Sequence, residues 1–110
     1  MLNTAGLHVQ GPEENSPTPA SATVILETLK QVNTASIPEI KKWTDDMLQE
    51  EVPMYGRSWK RGFVLTVLLH HHIHHRGQMT VLMRQAGLKV PGMHGPSRDE
   101  WLAFGKEPLA

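Results

Sequence analysis

The chain has 110 residues, which is enough for one domain. Its eleven basic and eleven acidic residues cancel, so it lacks the basic surplus that is typical of nucleic-acid binders. It contains no cysteine, which excludes disulfides, thiol nucleophiles and cysteine-based zinc sites. No apolar stretch approaches the roughly 20 residues of a membrane span, and the first ten residues lack a secretory pattern. We therefore expect a soluble cytoplasmic protein that binds neither nucleic acid nor membrane.

The first 18 residues are rich in glycine and proline and poor in large apolar side chains. This composition predicts a flexible or loosely docked arm over residues 1–18. Thr18 is suited to cap a helix whose first residue is Pro19. The remainder, residues 19–110, is predicted to be one helical domain with an irregular tail from about residue 88.

The first predicted helix covers about residues 19–47, because apolar side chains recur there at steps of three and four. Pro38 lies inside this pattern and removes one backbone donor, so we expect the helix to kink or to split in two there. The stretch 49–57 contains Pro53 and Gly56, and it predicts an irregular connection.

A second long helix is predicted over about residues 59–86, with Ser58 as its cap and Gly87 as its stop. Ser97 is suited to cap one further short turn over residues 98–101. Two long helices do not close a core alone, whereas a four-helix bundle does. We expect an all-α fold in which these helices form half of such a bundle, completed by dimerisation, by another protein or by missing N-terminal sequence.

The second predicted helix carries five histidines in the run His70-His71-His72-Ile73-His74-His75. Helical spacing makes two pairs that lie one turn apart, His70 with His74 and His71 with His75. At about 100° per residue, His71 and His75 fall near the centre of the apolar face. His70 and His74 lie on the edge of that face, and His72 lies on its other flank.

Two interpretations of the central pair stay open: core histidines that are hydrogen-bonded to carbonyl groups, or ligands of a metal ion. The spacing of the pair and its central position favour the metal. Imidazole nitrogen suits zinc, nickel, copper or iron, and zinc enzymes usually supply three protein ligands. The further candidates, none with an identifying spacing, are His8, His94, Glu27, Asp45 and Asp46.

The segment LLHHHIHHRGQMTVLMRQ, residues 68–85, together with the later PGMHGPS, resembles the C-terminal half of the DinB family of small helical metalloproteins. The hallmark of that family is His-x-x-x-His-Arg-Gly-Gln on its last long helix. In this chain the hallmark falls on His71, His75, Arg76, Gly77 and Gln78. The specific match covers about half of the chain, and residues 19–57 agree only in helical pattern.

The resemblance implies a four-helix bundle in which three histidines hold one divalent metal ion, usually nickel, zinc or iron. Two of the ligands map to His71 and His75. The third lies on an earlier helix in the family, and His8 and His94 are only weak candidates for it. Gln78, near the inward face, is expected to orient an imidazole or a water molecule. Arg76 is expected to make a structural ion pair, and Gly77 to allow a close helix approach.

The resemblance also implies a superfamily of thiol-dependent transferases and isomerases, together with members known only as DNA-damage-inducible proteins. Two functions remain open. The first is a divalent-metal-binding protein of the DinB type with metal-dependent thiol transferase activity, acting on a low-molecular-weight thiol or another small molecule. The second is a non-catalytic helical stress or interaction protein that retains the histidine motif. In either case we expect a homodimer, because the two long helices of one chain leave their apolar faces open and Leu69 and Ile73 add apolar surface behind the histidine face.

Overall fold

The computed structural model describes residues 3–13 and 15–107, and it is mostly helical with one small sheet. The chain divides into two compact units within one long helix, between Leu68 and Leu69. The elements in chain order are α1 (Ala22–Ile40), α2 (Asp45–Gln49), β1 (Glu51–Met54), β2 (Arg57–Lys60), α3 (Arg61–Gln85) and α4 (Arg98–Ala103). The predicted predominance of helix is confirmed, whereas completion of a four-helix bundle stays a prediction.

Helix α1 begins at Ala22, so the predicted start at Pro19 is wrong. Pro38 lies in its last turn, and the helix ends two residues later rather than continuing to residue 47. The split has a local cause, because the Thr44 side chain accepts a hydrogen bond from the backbone of Met47 and thereby starts α2. Two aspartates in the first turn of α2 add a favourable interaction with the helix dipole.

The predicted irregular connection over residues 49–57 is wrong, because β1 and β2 form an antiparallel hairpin. The turn consists of Tyr55 and Gly56 with φ angles of 50° and 73°, as two-residue hairpin turns of type I′ require. Met54 and Arg57 form the hydrogen-bonded pair that closes the turn. Pro53 lies opposite Ser58 in the next pair, which is a non-hydrogen-bonded pair, so proline is tolerated there. At that position its missing N–H would point away from the partner strand.

The first unit has a small apolar core that the hairpin, the N-terminal segment and the start of α3 share. The buried cluster contains Ala5, Val52, Met54 and Val64, and the half-buried rings of Trp43 and Trp59 pack against it. Leu7 and Val9 are buried as well, so the first part of the predicted arm is packed in this unit. Sequence reasoning did not predict this packing.

Helix α3 begins at Arg61, two residues later than predicted, because Ser58 and Trp59 belong to β2. The Ser58 hydroxyl donates to a Glu51 carboxylate oxygen at 2.6 Å instead of capping the helix. The predicted stop at Gly87 is confirmed. Gly87, with φ of 72°, donates to the Arg84 carbonyl, and Leu88 donates to the Met83 carbonyl, which is the Schellman pattern.

In the second unit a short C-terminal motif confirms the predicted cap at Ser97. The Ser97 hydroxyl accepts from the Glu100 backbone, and the Glu100 carboxylate accepts from the Ser97 backbone, which together form a capping box at the start of α4. The other Glu100 oxygen accepts from the Gly92 backbone at 2.9 Å. We call Gly92, Ser97 and Glu100 the Glu100 clamp. These two backbone donors hold the pKa of the Glu100 carboxyl below its ordinary value of 4.5.

Most of the apolar face of α3 is uncovered in this chain, and its predicted burial against further helices stays a prediction. Val64 is the buried residue of the helix, whereas Met79 and Leu82 are 59% and 63% exposed. Among residues 3–13 and 15–107, no helix combines the length and apolar character needed to cross a bilayer.

Candidate functional site

The central histidine pair comes together on α3 within the second unit. The Nε2 atoms of His71 and His75 lie 3.0 Å apart, and their rings cross at 80° with centroids separated by 4.4 Å. The continuous helix places the two side chains one turn apart, so this geometry arises from the i,i+4 spacing. The two ring nitrogens therefore lie within hydrogen-bond distance of each other beside the helix.

Gln78 fixes one ring of this pair. Its side-chain oxygen lies 2.8 Å from His75 Nδ1. Because an amide oxygen only accepts hydrogen bonds, this contact fits the tautomer that carries its proton on Nδ1 and leaves the Nε2 lone pair free. The lone pair faces the His71 ring, where it can accept a proton or bind a metal ion. Gln78 thus occupies the position expected for a residue that orients an imidazole.

The pair is exposed to solvent in the single chain, and its predicted place in the core of a completed bundle stays a prediction. All five histidines from His70 to His75 are exposed, and the His74 ring lies 5.3 Å from the His75 ring. Exposure removes the desolvation cost that a buried imidazolium would carry. Burial therefore does not force the pair to be liganded, and the case for a ligand rests on the 3.0 Å separation of the two nitrogens.

The separation of the two nitrogens can be compared with that of a shared metal ion. Two imidazole nitrogens at 2.0–2.1 Å from one ion lie about 2.9 Å apart at a right angle and about 3.4 Å apart at the tetrahedral angle. The observed 3.0 Å is close to the first value, which suits octahedral or tetragonal ions. A tetrahedral zinc ion would need the rings to open by about 0.4 Å. The residues present therefore fit two positions of a divalent metal ion.

The structure adds no third ligand to this pair within the described chain, where no group of three histidine, aspartate or glutamate residues could hold a metal ion. His94 lines a cavity with Ile73 and Thr80, on the opposite face of α3. His8 is exposed and lies in the first unit between buried Leu7 and Val9. The carboxylate candidates also lie in the first unit, Glu27 on α1 and Asp45 and Asp46 on α2.

One expectation for the motif differs from the structure, and another stays a prediction. Arg76 Nη2 donates to the Met93 sulfur at 2.9 Å, and no carboxylate pairs with this arginine among residues 3–13 and 15–107. Gly77 meets no helix of the described chain, where nothing lies within 4 Å of its Cβ position, so its predicted close approach to a further helix stays a prediction. The helical pattern alone could not identify Met93 as the partner, since the contact depends on the path of the C-terminal segment.

The comparison with protein families settles the class. A model of the DinB family matches residues 2–108, so the chain belongs to the DinB family. The match extends well beyond the histidine segment on which the resemblance was first recognised.

Individual relatives are similar over most of this chain. The uncharacterized protein YrdA of Bacillus subtilis strain 168 is 47% identical over 108 residues, which cover 97% of this chain and 65% of YrdA. A DinB-like protein from Bacillus cereus ATCC 10987, known from a crystal structure, is 42% identical with a TM-score of 0.79. That likeness covers 84% of this chain and 63% of the other. The chain thus spans just under two thirds of the length of these relatives.

Proposed function

We propose that this DinB-family chain binds one divalent metal ion, nickel, zinc or iron, through His71 and His75. The observation that carries the proposal is the 3.0 Å separation of their Nε2 atoms. Three features support it: the fit of this distance to a shared ion, the exposure of both rings, and the match of the pair to the family motif.

Gln78 serves this site as the residue that positions His75. By accepting from Nδ1 it selects the tautomer whose Nε2 lone pair is available to a metal ion. Arg76 and Gly77 complete the motif without contributing to the pair, because Arg76 contacts Met93 on another side of the helix.

Beyond metal binding, we propose that the protein is a metal-dependent thiol transferase that acts on a low-molecular-weight thiol or another small molecule. When bound, the ion would supply Lewis acidity toward a thiolate or a water molecule. Two protein ligands are fewer than catalytic zinc sites commonly have, so this activity requires further ligands. We propose that a second copy of the chain completes the site, with His8, His94 or a carboxylate as candidates.

The alternative is a non-catalytic helical stress or interaction protein. Two observations favour it: no third ligand joins the pair within the described residues, and one Nε2–H···Nε2 hydrogen bond can satisfy both rings. Under this alternative the histidine motif stabilises α3 locally and holds no metal ion.

Metal content distinguishes these functions. Calorimetry and elemental analysis on the wild type should show one divalent ion per pair, and the double variant His71→Ala/His75→Ala should lose it. His72→Ala is the matched control, because it removes one exposed histidine from the same helix. Equal metal content in wild type and double variant would refute the proposed site and support the non-catalytic alternative.

The proposed thiol transferase activity needs a separate assay. Protein loaded with nickel, zinc, iron(II) or manganese is tested with common low-molecular-weight thiols and electrophilic acceptors. Because the chain brings only two proposed ligands together, we expect weak turnover or none. Turnover that disappears in His75→Ala would establish an enzyme, whereas normal metal binding without turnover would support a binding protein.

We also propose that the chain is a homodimer. Its exposed large apolar side chains include Ile25, Leu29 and Ile37 on α1 and Leu69, Met79 and Leu82 on α3. An assembly that covers such residues gains hydrophobic free energy. Sedimentation should give twice the mass of the 12.3 kDa chain at micromolar concentration. A folded species of 12.3 kDa across that range would contradict the proposal.

A further inference from the structure

A cavity of about 170 Å³ lies in the second unit, on the face of α3 opposite the histidine pair. It is lined by Ile73, Arg76, Gly77, Thr80, Met93 and His94. This volume is smaller than that of drug-sized sites, so any occupant is a small molecule. Neither His71 nor His75 lines this cavity.

Arg76 is the charged group of this cavity, and the Met93 sulfur is a poor hydrogen-bond partner for it. A guanidinium group offers five N–H donors, whereas the thioether sulfur of Met93 is a weak acceptor. Among the described residues no carboxylate pairs with Arg76. A ligand carboxylate could accept two parallel hydrogen bonds from this group, which is the arrangement that a guanidinium favours.

Gly77 lies beside Arg76 in the interior of a long helix, where glycine is unfavourable relative to alanine. Neither packing nor backbone conformation accounts for it. Nothing in the described chain lies within 4 Å of the position that a Cβ atom would take. The φ angle of Gly77 also lies outside the left-handed region that favours glycine. What its lack of a side chain provides is space in the wall of the cavity.

The other lining residues indicate which kind of ligand would fit beside the guanidinium group. The Thr80 hydroxyl already donates to the Gly77 carbonyl at 2.7 Å, so its own hydrogen is engaged. Ile73 and Met93 are 49% and 38% exposed and present apolar surface next to the guanidinium. One cation beside apolar walls matches a small acid with one carboxylate and a short hydrocarbon body.

We propose that this cavity is a binding site for a small apolar monocarboxylate, with Arg76 holding the carboxylate and Gly77 leaving room for the hydrocarbon. The probe is 4-methylpentanoate, and 4-methylpentanamide is its uncharged control. Binding is followed through the amide resonances of the lining residues in a two-dimensional NMR titration of the full chain.

Wild-type protein should show saturable shifts at the lining residues with the acid, and binding of the amide should be at least tenfold weaker. Arg76→Gln should weaken acid binding at least tenfold, whereas Arg57→Gln, an equal loss of charge on β2, should not. Gly77→Ala should also weaken it at least tenfold while raising the melting temperature, since alanine favours the helix. Equal binding of acid and amide, unchanged affinity in Arg76→Gln or Gly77→Ala, or shifts that do not saturate would each overturn the proposal.

Discussion

The two faces of α3 in the second unit are organised in different ways. On one face, the side chains of His71, His75 and Gln78 contact one another along a single helix. On the other face, Arg76 contacts Met93, which lies in a segment that follows the helix and is held by the Glu100 clamp.

The geometry of one face is therefore set by residues within the helix, and that of the other face by contacts with a separate segment. The geometry of the histidine face depends on side-chain spacing within one helix, so it persists wherever α3 is helical. The cavity face depends on the path of residues 91–97, which the clamp fixes through backbone donors. Changes to the clamp should therefore alter the cavity face and leave the histidine pair unchanged.

Among the variants that distinguish the two faces, Gly92→Ala is expected to have the largest effect, and this effect should fall on residues 91–97. A Cβ at this position would collide with the Glu100 carboxylate and with the Gly95 carbonyl group. Overpacking of this kind costs about 1–3 kcal/mol. In this variant the backbone amides at positions 92 and 97 should exchange their hydrogens faster than in the wild type. Metal affinity measured by calorimetry should stay within about twofold of the wild type.

Gly95→Ala is the matched control for this variant, because nothing lies within 4 Å of its Cβ position in the described chain. If Gly95→Ala changed exchange as strongly as Gly92→Ala, the clamp would not be the element that fixes residues 91–97. A large loss of metal affinity in Gly92→Ala would show that the two faces are coupled.

A smaller effect, confined to the histidine face, is expected from Gln78→Leu. This substitution removes the acceptor that holds the proton on His75 Nδ1. Loss of such a partner commonly weakens metal affinity about 10-fold or more, or about 1.4 kcal/mol. Gln85→Leu, at the end of the same helix, is the control. Equal affinities in the two variants would show that Gln78 does not position the ring.

The sequence predicted best the features that depend on neighbouring residues. The stop at Gly87, the cap at Ser97 and the His71–His75 juxtaposition each follow from interactions within six residues, and the structure contains all three. The family membership was also predictable, because the motif from His71 to Gln78 is specific.

The errors arose where a residue type was interpreted without its partner. Pro53 was taken as a breaker, but a proline is accommodated in a hairpin at a position outside the hydrogen-bonded pairs. The burial of Ala5 and Leu7 depends on contacts distant in sequence, which periodicity does not reveal.

The smallest expected effect is a pH dependence that belongs to the cavity face alone. Backbone donors at Gly92 and Ser97 lower the pKa of Glu100, so the folded state favours its ionised form. A carboxyl group with a lowered folded-state pKa contributes stability above its unfolded value, and that contribution is lost as the pH falls through the folded value. The clamp should therefore loosen below pH 4.5, and Glu100→Gln should abolish this dependence.

NMR titration of the Gly92 and Ser97 amide resonances between about pH 6 and pH 2 measures this transition directly, since both amides donate to the titrating carboxylate. Glu107→Gln, which removes an exposed carboxylate outside the clamp, should leave the curve unchanged. A midpoint at or above 4.5 would mean that the two donors do not stabilise the ionised form. A midpoint below it, absent in Glu100→Gln, would show that the fold of residues 91–97 is sensitive to one carboxylate. The i,i+4 spacing on the opposite face of α3 has no such dependence on Glu100.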